Sequence, residues 1–309
     1  MPRKTPPTGV PLASLLPSWE LSLREANRSP KTIASYKGTA DRLIRYLKDN
    51  ELPDDTEHID APHLRQFLLA ESGRTSPVSA AVHYRNLRVF FGWLEREGER
   101  TSPNPMGRVD EPKAPRKVKQ SLTTAQLAAL LKVCGGGDFE ARRDTAIFRI
   151  LIDTGVRVSG PAGIRAEHVN LTGKTVAVTL KGGEQILIPL GKKAAAALDR
   201  YLRARARHPH ADSELLWLGL RGHHVRHLGV SGIQDMVERR GEQAGIAGLT
   251  PHWFRRTFAR DWLDAGGSEL DLMKITGWKT RAMIDVYAGD LAAERARDAH
   301  ARLSPGDRI

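Results

Sequence analysis

Four side chains near the C-terminal end of the sequence are of types that handle phosphate. The stretch LTPHWFRRTFARDWLDAGGSELDLMKITGWKTRAMIDVYAGD, residues 249–290, contains His252 and Arg255 three positions apart, Trp278 after a glycine, and Tyr287 nine residues later. Arginine presents a planar fork to phosphate oxygens, and histidine exchanges a proton near neutral pH. A tyrosine hydroxyl can serve as a nucleophile. Together these side chains could carry out phosphoryl transfer if the fold brings them to one place.

The local sequence favours a helix that presents the first two residues together. A helix starting at Thr250-Pro251 places His252 and Arg255 on one face of its first turn. Unpaired backbone N–H groups and the positive end of the helix dipole favour an anion there. The alternative interpretation is a capping histidine beside a solvated arginine, and the pair alone does not decide between the two.

Two further cations lie where the chain is predicted to turn. Arg157, in DTGVRVSG, follows a predicted helix that ends at Gly155, and Lys181, in TLKGGEQ, lies at the tip of a predicted hairpin. Each has a plain structural explanation: a buried ion pair for the arginine and a solvated side chain for the lysine. Tyr287, taken alone, is best explained as a core residue.

The charge of the chain indicates a polyanionic partner. The formal net charge is +12 and the isoelectric point is about 10.0. Residues 1–110 carry 16 Lys and Arg against 14 Asp and Glu, residues 111–121 carry four against one, and residues 122–309 carry 28 against 21. Nucleic acid is favoured over an anionic membrane surface, because no predicted helix pairs a basic face with a strongly aromatic or leucine-rich one.

Composition excludes several other classes. No apolar run is long enough to span a membrane, and the N-terminus does not resemble a signal peptide. The single cysteine, Cys134, excludes an internal disulfide and a cysteine-based zinc site, and is expected to be a buried packing residue in a protein of the reducing cytoplasm. The sequence contains neither a GxGxxG nor a Walker loop, so no nucleotide cofactor is expected, and no metal site is predicted.

Hydrophobic periodicity predicts a helical first domain and a basic connection. Ser29 and Pro30 are typical of a helix start, and similar starts recur within residues 12–100, which predicts a bundle of four or five helices. Residues 103–121 contain four prolines and read as a linker. Its cations are predicted to contact DNA phosphates, with simple solubilising charge as the alternative. They are Lys113, Arg116, Lys117 and Lys119.

The second domain is predicted to be helical around one small sheet. Two helices come first, then residues 167–190 alternate in short runs broken by Thr-Gly-Lys and Gly-Gly-Glu, which predicts a three-stranded antiparallel β-meander. The remainder is helical. The predicted fold is therefore mainly α with a small antiparallel β-meander, in two domains. The predicted segments are a flexible tail at 1–11, a helical domain at 12–102, a basic linker at 103–121, and a second domain at 122–309.

In order and spacing, these residues resemble the tyrosine recombinase (phage integrase) family over residues 15–300. The family's motif elements fall on Thr-Gly-x-Arg at Arg157, the hairpin lysine at Lys181, His-x-x-Arg at His252 and Arg255, the Gly-(His or Trp) position at Trp278, and the nucleophile at Tyr287. The resemblance implies a helical core-binding domain, a basic linker and a catalytic domain. It also implies strand cleavage and rejoining through a 3′-phosphotyrosyl intermediate, independent of metal and ATP.

By the same resemblance, each site residue has an expected role. The two arginines neutralise charge on the phosphate, Lys181 protonates the leaving 5′-oxygen, His252 helps to deprotonate the tyrosine, and Trp278 hydrogen-bonds or packs against the phosphate. The expected protein is a cytoplasmic, nucleoid-associated recombinase of a bacterial host, of phage or mobile-element origin. It acts as a homo-tetramer on double-stranded DNA sites, with a C-terminal helix that docks on a neighbouring protomer. The alternative for this last segment is a frayed helix folded back on its own domain.

The sequence departs from the family pattern at one position that bears on activity. The family usually has an acidic residue three positions after the first arginine, where this chain has Gly160 followed by Pro161, and Gly-Pro is expected to break the helical turn. Arg256 stands where the family often has a second histidine. Two alternatives remain: a non-catalytic DNA-binding protein with the recombinase fold, which Gly160 would support, and a type IB topoisomerase.

Overall fold

The chain folds as two units, Met1–Val118 and Lys119–Ile309. The computed structural model describes residues 9–113, 120–180, 183–220, 227–288 and 292–308. Within those ranges the secondary structure is helical apart from one three-stranded antiparallel sheet, which confirms the predicted fold class. In the same ranges, no helix is both long and apolar enough to cross a membrane.

The first unit is a four-helix arrangement whose starts follow from sequence. Ser29 accepts a hydrogen bond from the Thr32 N–H, and Asp60 and Ser76 cap the next two helices, each followed by proline in the first turn. Its core is rich in aromatic side chains, with Trp19 packed at 4.5 Å from Phe90 between ring centroids. The helices are α1 (Leu12–Glu25), α2 (Pro30–Asp49), α3 (Ala61–Arg74) and α4 (Pro77–Arg96).

The first unit extends further along the chain than the predicted domain boundary. A 3-10 turn forms at Pro105–Arg108, and Met106 and Val109 are buried in the core of this unit. The linker expected at 103–121 is therefore shorter at its N-terminal end. The apolar side chains at 106 and 109 anchor a proline-rich stretch that has no periodicity of its own.

The second unit surrounds its sheet with helices. It contains α5 (Thr124–Val133), α6 (Phe139–Thr154), α7 (Ser159–Ala162), β1 (Val169–Asn170), β2 (Thr175–Thr179), β3 (Gln185–Pro189), α8 (Lys192–Arg205), α9 (Val230–Gln243), α10 (Pro251–Asp264), α11 (Glu269–Thr276), α12 (Ala282–Ala288) and α13 (Ala292–Leu303). Further 3-10 turns span Ala166–His168 and Gly306–Arg308. The strands form the predicted meander in the order β1-β2-β3, with Val176 opposite Ile188.

Helix α6 forms the centre of this unit. It packs against α8 and α10, and most of its residues are buried, including Asp144, which is fully inaccessible. The Asp144 carboxylate accepts hydrogen bonds from Arg143 at 2.8 Å and from Arg240 of α9 at 2.9 Å. Paired in this way, the buried charge fixes α9 against α6. Cys134 is buried as predicted, and burial raises the pKa of its thiol to about 11.

Candidate active site

Arg255 is the structural centre of the region that the sequence singled out. Its side chain is 1% exposed, and it donates from Nη1 to the Gly155 carbonyl at 2.9 Å and from Nη2 to the Thr276 carbonyl at 3.2 Å. Those carbonyls end α6 and α11, so one guanidinium from α10 joins the C-terminal ends of two other helices. The geometry of the site is fixed around this side chain.

Two glycines allow those helix ends to approach Arg255. Gly155 and Gly277 both adopt left-handed backbone conformations, with φ of +56° and +67°. A Cβ at Gly155 would lie 2.6 Å from the Phe258 ring, and one at Gly277 would lie 2.6 Å from Leu180. Both the dihedral angle and the available space therefore require glycine. Each glycine also ends its helix shortly before a predicted site residue, Arg157 in one case and Trp278 in the other.

Tyr287 and Trp278 stack on one another beside Arg255. Their ring centroids are 5.1 Å apart with planes inclined by 18°. The Arg255 guanidinium carbon lies 4.9 Å from the Trp278 centroid and 5.3 Å from the Tyr287 centroid, within the range of cation–π attraction. Three side chains from α10, the turn after α11 and α12 thus meet at one point. The structure brings this part of the predicted constellation together.

Two buried N–H donors lie where these three side chains meet. Trp278 is 4% exposed, and within the described parts of the chain neither its indole N–H nor the Arg255 Nε–H has a hydrogen-bond acceptor. Buried donors of this kind are normally satisfied, so their lack of an acceptor favours a ligand oxygen at this position. Phosphate oxygens bound beside the Tyr287 ring are acceptors of the kind that these two donors lack.

His252 completes the first turn of α10. Desolvation lowers the pKa of His252, and the positive charges of Arg255 and Arg157 lower it further, although the ring keeps a solvent-exposed edge. The histidine is therefore neutral at pH 7 and able to accept a proton. Burial is the largest of the effects that lower the pKa of Arg255 to about 10, and repulsion from the positive charge of Arg157 is the next. Attraction to Tyr287 raises the pKa of Arg255 by a smaller amount. Arg255 still carries its charge at neutral pH.

Arg157 lies at the open side of the same site. It follows the Gly155 turn, is exposed to solvent, and acts electrostatically on both His252 and Arg255. Among the described residues, its guanidinium has no hydrogen-bond or ion-pair partner. The buried structural pair considered as an alternative for this arginine is therefore wrong.

The base of the predicted hairpin contacts the site. The predicted hairpin lysine itself, Lys181, lies outside the described residues. The residue before it, Leu180, contacts Gly277 next to Trp278, and Lys279 pairs with Glu184 at 3.1 Å. The base of the hairpin is thus adjacent to the site. Of the four linker cations, Lys113 is described, and Arg116, Lys117 and Lys119 lie outside the described residues.

Comparison with known proteins supplies the family. The model of the phage integrase family matches residues 120–294, and that of the phage integrase N-terminal SAM-like domain matches residues 17–98. The chain belongs to the phage integrase family. Tyrosine recombinase XerC of Pseudomonas syringae pv. tomato is 30% identical over 266 residues, covering 85% of this chain and 86% of that protein. The XerC of Haemophilus influenzae is 27% identical, covering 89% and 92%.

Solved recombinase structures share the fold of this family member. The XerH site-specific recombinase bound to palindromic difH substrate has a TM-score of 0.74 at 17% identity, covering 93% of this chain and 84% of that chain. A lambda integrase dimer bound to a COC' core site has a TM-score of 0.73 at 19% identity, covering 91% and 77%. Together with the relatives, the family assignment makes this chain a tyrosine recombinase, an enzyme of site-specific DNA recombination. Site-specific recombination is therefore favoured over the two alternatives, a non-catalytic DNA-binding protein and a type IB topoisomerase.

The structure differs from the expected local structure at Gly160-Pro161. Residues Ser159–Ala162 form a short helix, α7, so the expected break is wrong. Pro161 falls in the first turn, where the missing N–H has no intrahelical acceptor to lose. Gly160 is buried against β2, and the absent carboxylate leaves Arg157 without a neighbouring acidic partner among the described residues.

This position yields a prediction with a matched control. A Cβ at Gly160 would lie 3.7 Å from the Val178 Cβ, an ordinary contact, so Gly160→Ala should leave activity unchanged and stabilise the fold by about 0.4–1 kcal/mol. Gly160→Glu places a carboxylate one helical turn from Arg157 and should raise the rate of DNA cleavage up to about tenfold, without tightening DNA binding. Single-turnover cleavage and gel-shift affinity of both variants measure this. Equal rates for the two variants would show that Arg157 needs no carboxylate.

Sequence patterns did not predict that Thr257 and Arg260 of α10 bond to the first residues of the second unit. The Thr257 hydroxyl accepts from the Leu122 N–H at 2.7 Å, and Arg260 donates to Ser121 at 2.7 Å and to the Leu122 carbonyl at 2.9 Å. These bonds attach the start of the second unit to the helix that carries His252 and Arg255. In the sequence Arg256 is noted only as a variation of the family pattern and is assigned no role, although two adjacent arginines, both buried in the structure, are an unusual pattern.

Proposed function

We propose that this enzyme cleaves and rejoins DNA strands through Tyr287. The Tyr287 hydroxyl oxygen attacks a phosphodiester phosphorus, a 3′-phosphotyrosyl bond forms, and the bond to the 5′-oxygen breaks to release a 5′-hydroxyl. A 5′-hydroxyl from the partner strand then attacks the phosphotyrosine and releases the tyrosine. Since one phosphodiester replaces another, the exchange needs no external energy source. The supporting observation is the Tyr287 ring held against Arg255 and Trp278.

The electrostatics of the site suit the charge that develops on the phosphate. Arg255 is buried, where a charge acts through a lower effective dielectric than in water, and its two carbonyl bonds hold it in place before the reaction begins. Arg157 approaches from the solvent side and neutralises the second non-bridging oxygen. The indole N–H of Trp278 donates to the phosphate.

Proton transfers are assigned by position and protonation state. His252, neutral because its pKa is lowered, accepts the proton from the Tyr287 hydroxyl as attack proceeds. Lys181 donates a proton to the leaving 5′-oxygen. For Lys181, support comes from the family motif and from the contact of the preceding Leu180 with Gly277.

The partner and the assembly are proposed from charge and from the fold relatives. The substrate is a pair of double-stranded DNA sites, with Lys113, Arg116, Lys117 and Lys119 on backbone phosphates. Four copies act together, as in a lambda integrase tetramer bound to a Holliday junction, which shares the fold with a TM-score of 0.70 at 18% identity. We place the enzyme in the bacterial cytoplasm, associated with the nucleoid, and assign it to a phage or mobile element.

Trapping the covalent intermediate tests this function. Duplexes tiled from DNA flanking the gene, each with a nick close to the candidate cleavage point, let the short 5′-hydroxyl fragment diffuse away and hold the enzyme on the DNA. We expect an adduct that survives denaturant, a free 5′-hydroxyl on the released fragment, and a tryptic peptide containing Tyr287 attached to a 3′-phosphate. An adduct attached to the 5′ end, or to another residue, would contradict the mechanism.

The C-terminal helix supports the proposed assembly. On α13 the apolar side chains Ala292, Ala296 and Leu303 are exposed and Ala299 is half-buried. A cavity of about 560 Å³ lies between this helix and the turn that joins α10 to α11. The helix therefore buries little of its apolar face on its own unit, and a neighbouring protomer can cover it.

Removing this helix should separate binding from assembly. Truncation after Asp290 is expected to preserve the affinity for one DNA site and to reduce two-site complexes and recombination by about tenfold or more. Leu303→Gln, on the apolar stripe, should reproduce part of the loss, whereas Arg297→Gln, off the stripe, should not. Gel-shift titrations on one-site and two-site DNA measure this. Equal two-site assembly by truncated and full-length protein would exclude docking by the helix.

A further inference from the structure

Arg256 lies at the base of the helix that carries the nucleophile. Its side chain is 9% exposed, and its Nη1 donates to the carbonyl of Val286, the residue before Tyr287, at 3.4 Å. Adjacent residues on a helix point about 100° apart. Arg255 and Arg256 therefore reach α12 differently: Arg255 lies near the Tyr287 ring, and Arg256 contacts the backbone.

The accepting carbonyl lies at the C-terminal end of α12. Helix α12 ends at Ala288, so the Val286 carbonyl belongs to its last turn, where carbonyls commonly take donors from outside the helix. A cation at the C-terminal end of a helix is also electrostatically favourable. The contact thus ties the last turn of α12 to α10.

Helix α12 is short and packs through three side chains. Of its seven residues, Ile284 is buried, Met283 and Tyr287 are half-buried, and Asp285 and Val286 are exposed. Side-chain packing of these three residues includes the Tyr287 ring itself, stacked on Trp278, and leaves the backbone of the last turn to be fixed by other contacts. Arg256 provides such a backbone contact one residue from the nucleophile.

We propose that Arg256 is a positioning residue for Tyr287: by holding the Val286 carbonyl, it keeps the tyrosine hydroxyl aimed at the phosphate that Arg255 and Arg157 bind. This inference rests on the proposed function of Tyr287 as the nucleophile. Arg256 touches neither the substrate nor the reacting atoms in this role. Its effect is on the geometry of attack, where displacements near 1 Å lower rates by up to about 100-fold.

A conservative series and a matched control separate positioning from general stability. Arg256→Gln removes the cation and shortens the side chain, whereas Arg256→Lys keeps a single long donor that can still reach the carbonyl. The control is Arg205→Gln in α8. Arg205 is also buried, at 7% exposed, and also donates to backbone carbonyls, among them Leu216 at 3.0 Å. Both glutamine variants should lower the melting temperature.

The first measurement is single-turnover formation of the covalent adduct on a nicked duplex, well below the lowest melting temperature. We expect Arg256→Gln to slow adduct formation by about 10- to 100-fold with unchanged DNA affinity, and Arg256→Lys to recover most of the rate. Arg205→Gln should form the adduct at the wild-type rate. A rate within twofold of wild type for Arg256→Gln would overturn the proposal, as would an equal slowing by Arg205→Gln.

The second measurement follows Tyr287 without activity. Protein labelled with 3-fluorotyrosine has five tyrosines, and the ¹⁹F signal of Tyr287 is identified by its loss in Tyr287→Phe. Arg256→Gln should shift or broaden this signal, Arg256→Lys should shift it less, and Arg205→Gln should leave it in place. An unchanged signal in Arg256→Gln overturns the proposal even if the rate falls. Absence of any adduct from the wild type would instead overturn the proposed function, and the ¹⁹F comparison would still test the Arg256 contact.

Discussion

Tyr287→Phe is expected to abolish the covalent protein–DNA adduct while leaving DNA binding and the fold intact. The substitution removes one oxygen, and the remaining phenyl ring can keep its stack on Trp278 and its position near Arg255. The loss should be about 10⁴-fold or more, since no other group can form the phosphotyrosyl bond. The melting temperature should change little, because the ring packing is kept and Arg255, which loses its hydrogen bond with the Tyr287 hydroxyl, keeps its two bonds to backbone carbonyls.

A nicked duplex and a denaturing gel measure this directly. Affinity for the intact site, determined by gel shift, should stay within about threefold of wild type, because a single phenolic oxygen contributes little to a phosphate-dominated interface. Tyr46→Phe, in the first unit, is the matched control and should form adduct at the wild-type level. A full-level adduct from Tyr287→Phe would place the nucleophile elsewhere and refute the mechanism.

The spacing of side chains in sequence anticipated much of this site. Trp278 and Tyr287 were predicted to share a site because their types and their nine-residue interval match the motif of the family that the sequence resembles, and the structure stacks them. Local helix starts at Ser29 and Asp60 were likewise readable, since capping residues act within one turn. These features depend on residues fewer than about ten positions apart, which is the range over which sequence patterns report on structure.

Contacts between distant segments could not be predicted in this way. The Arg255 bond to the Gly155 carbonyl spans 100 residues, and the Arg256 bond to the Val286 carbonyl spans 30. Both acceptors are backbone groups, which look the same at every position of a sequence. The helix break expected at Gly160-Pro161 is absent. That expectation applied the cost of a proline in the interior of a helix, whereas Pro161 falls in the first turn of α7, where a proline is tolerated.

Arg157→Ala and Arg255→Ala are expected to reduce cleavage for the same electrostatic reason but to differ in stability. Each removes a charge that stabilises the transition state, which corresponds to a rate loss of about 10²–10³-fold for a single preorganised donor. Arg157 is exposed and makes no described hydrogen bond, so its loss should leave the melting temperature unchanged. Arg255→Ala leaves the Gly155 and Thr276 carbonyls unsatisfied in the interior, at a cost of about 2–4 kcal/mol in the free energy of unfolding.

Three measurements on the two variants separate these effects: the single-turnover cleavage rate, the affinity for the DNA site, and the melting temperature. Arg157→Ala should lose rate alone. Arg255→Ala should lose rate and stability, and Arg255→Lys should recover part of both, because one ammonium keeps the charge but can bond one carbonyl well. Affinity should fall much less than rate in every variant, since the charge on the phosphate that these arginines oppose grows only during attack. If the affinity of Arg157→Ala fell as far as its rate, this arginine would bind DNA without selectively stabilising the transition state, and the assignment of the two arginines to one catalytic clamp would be wrong.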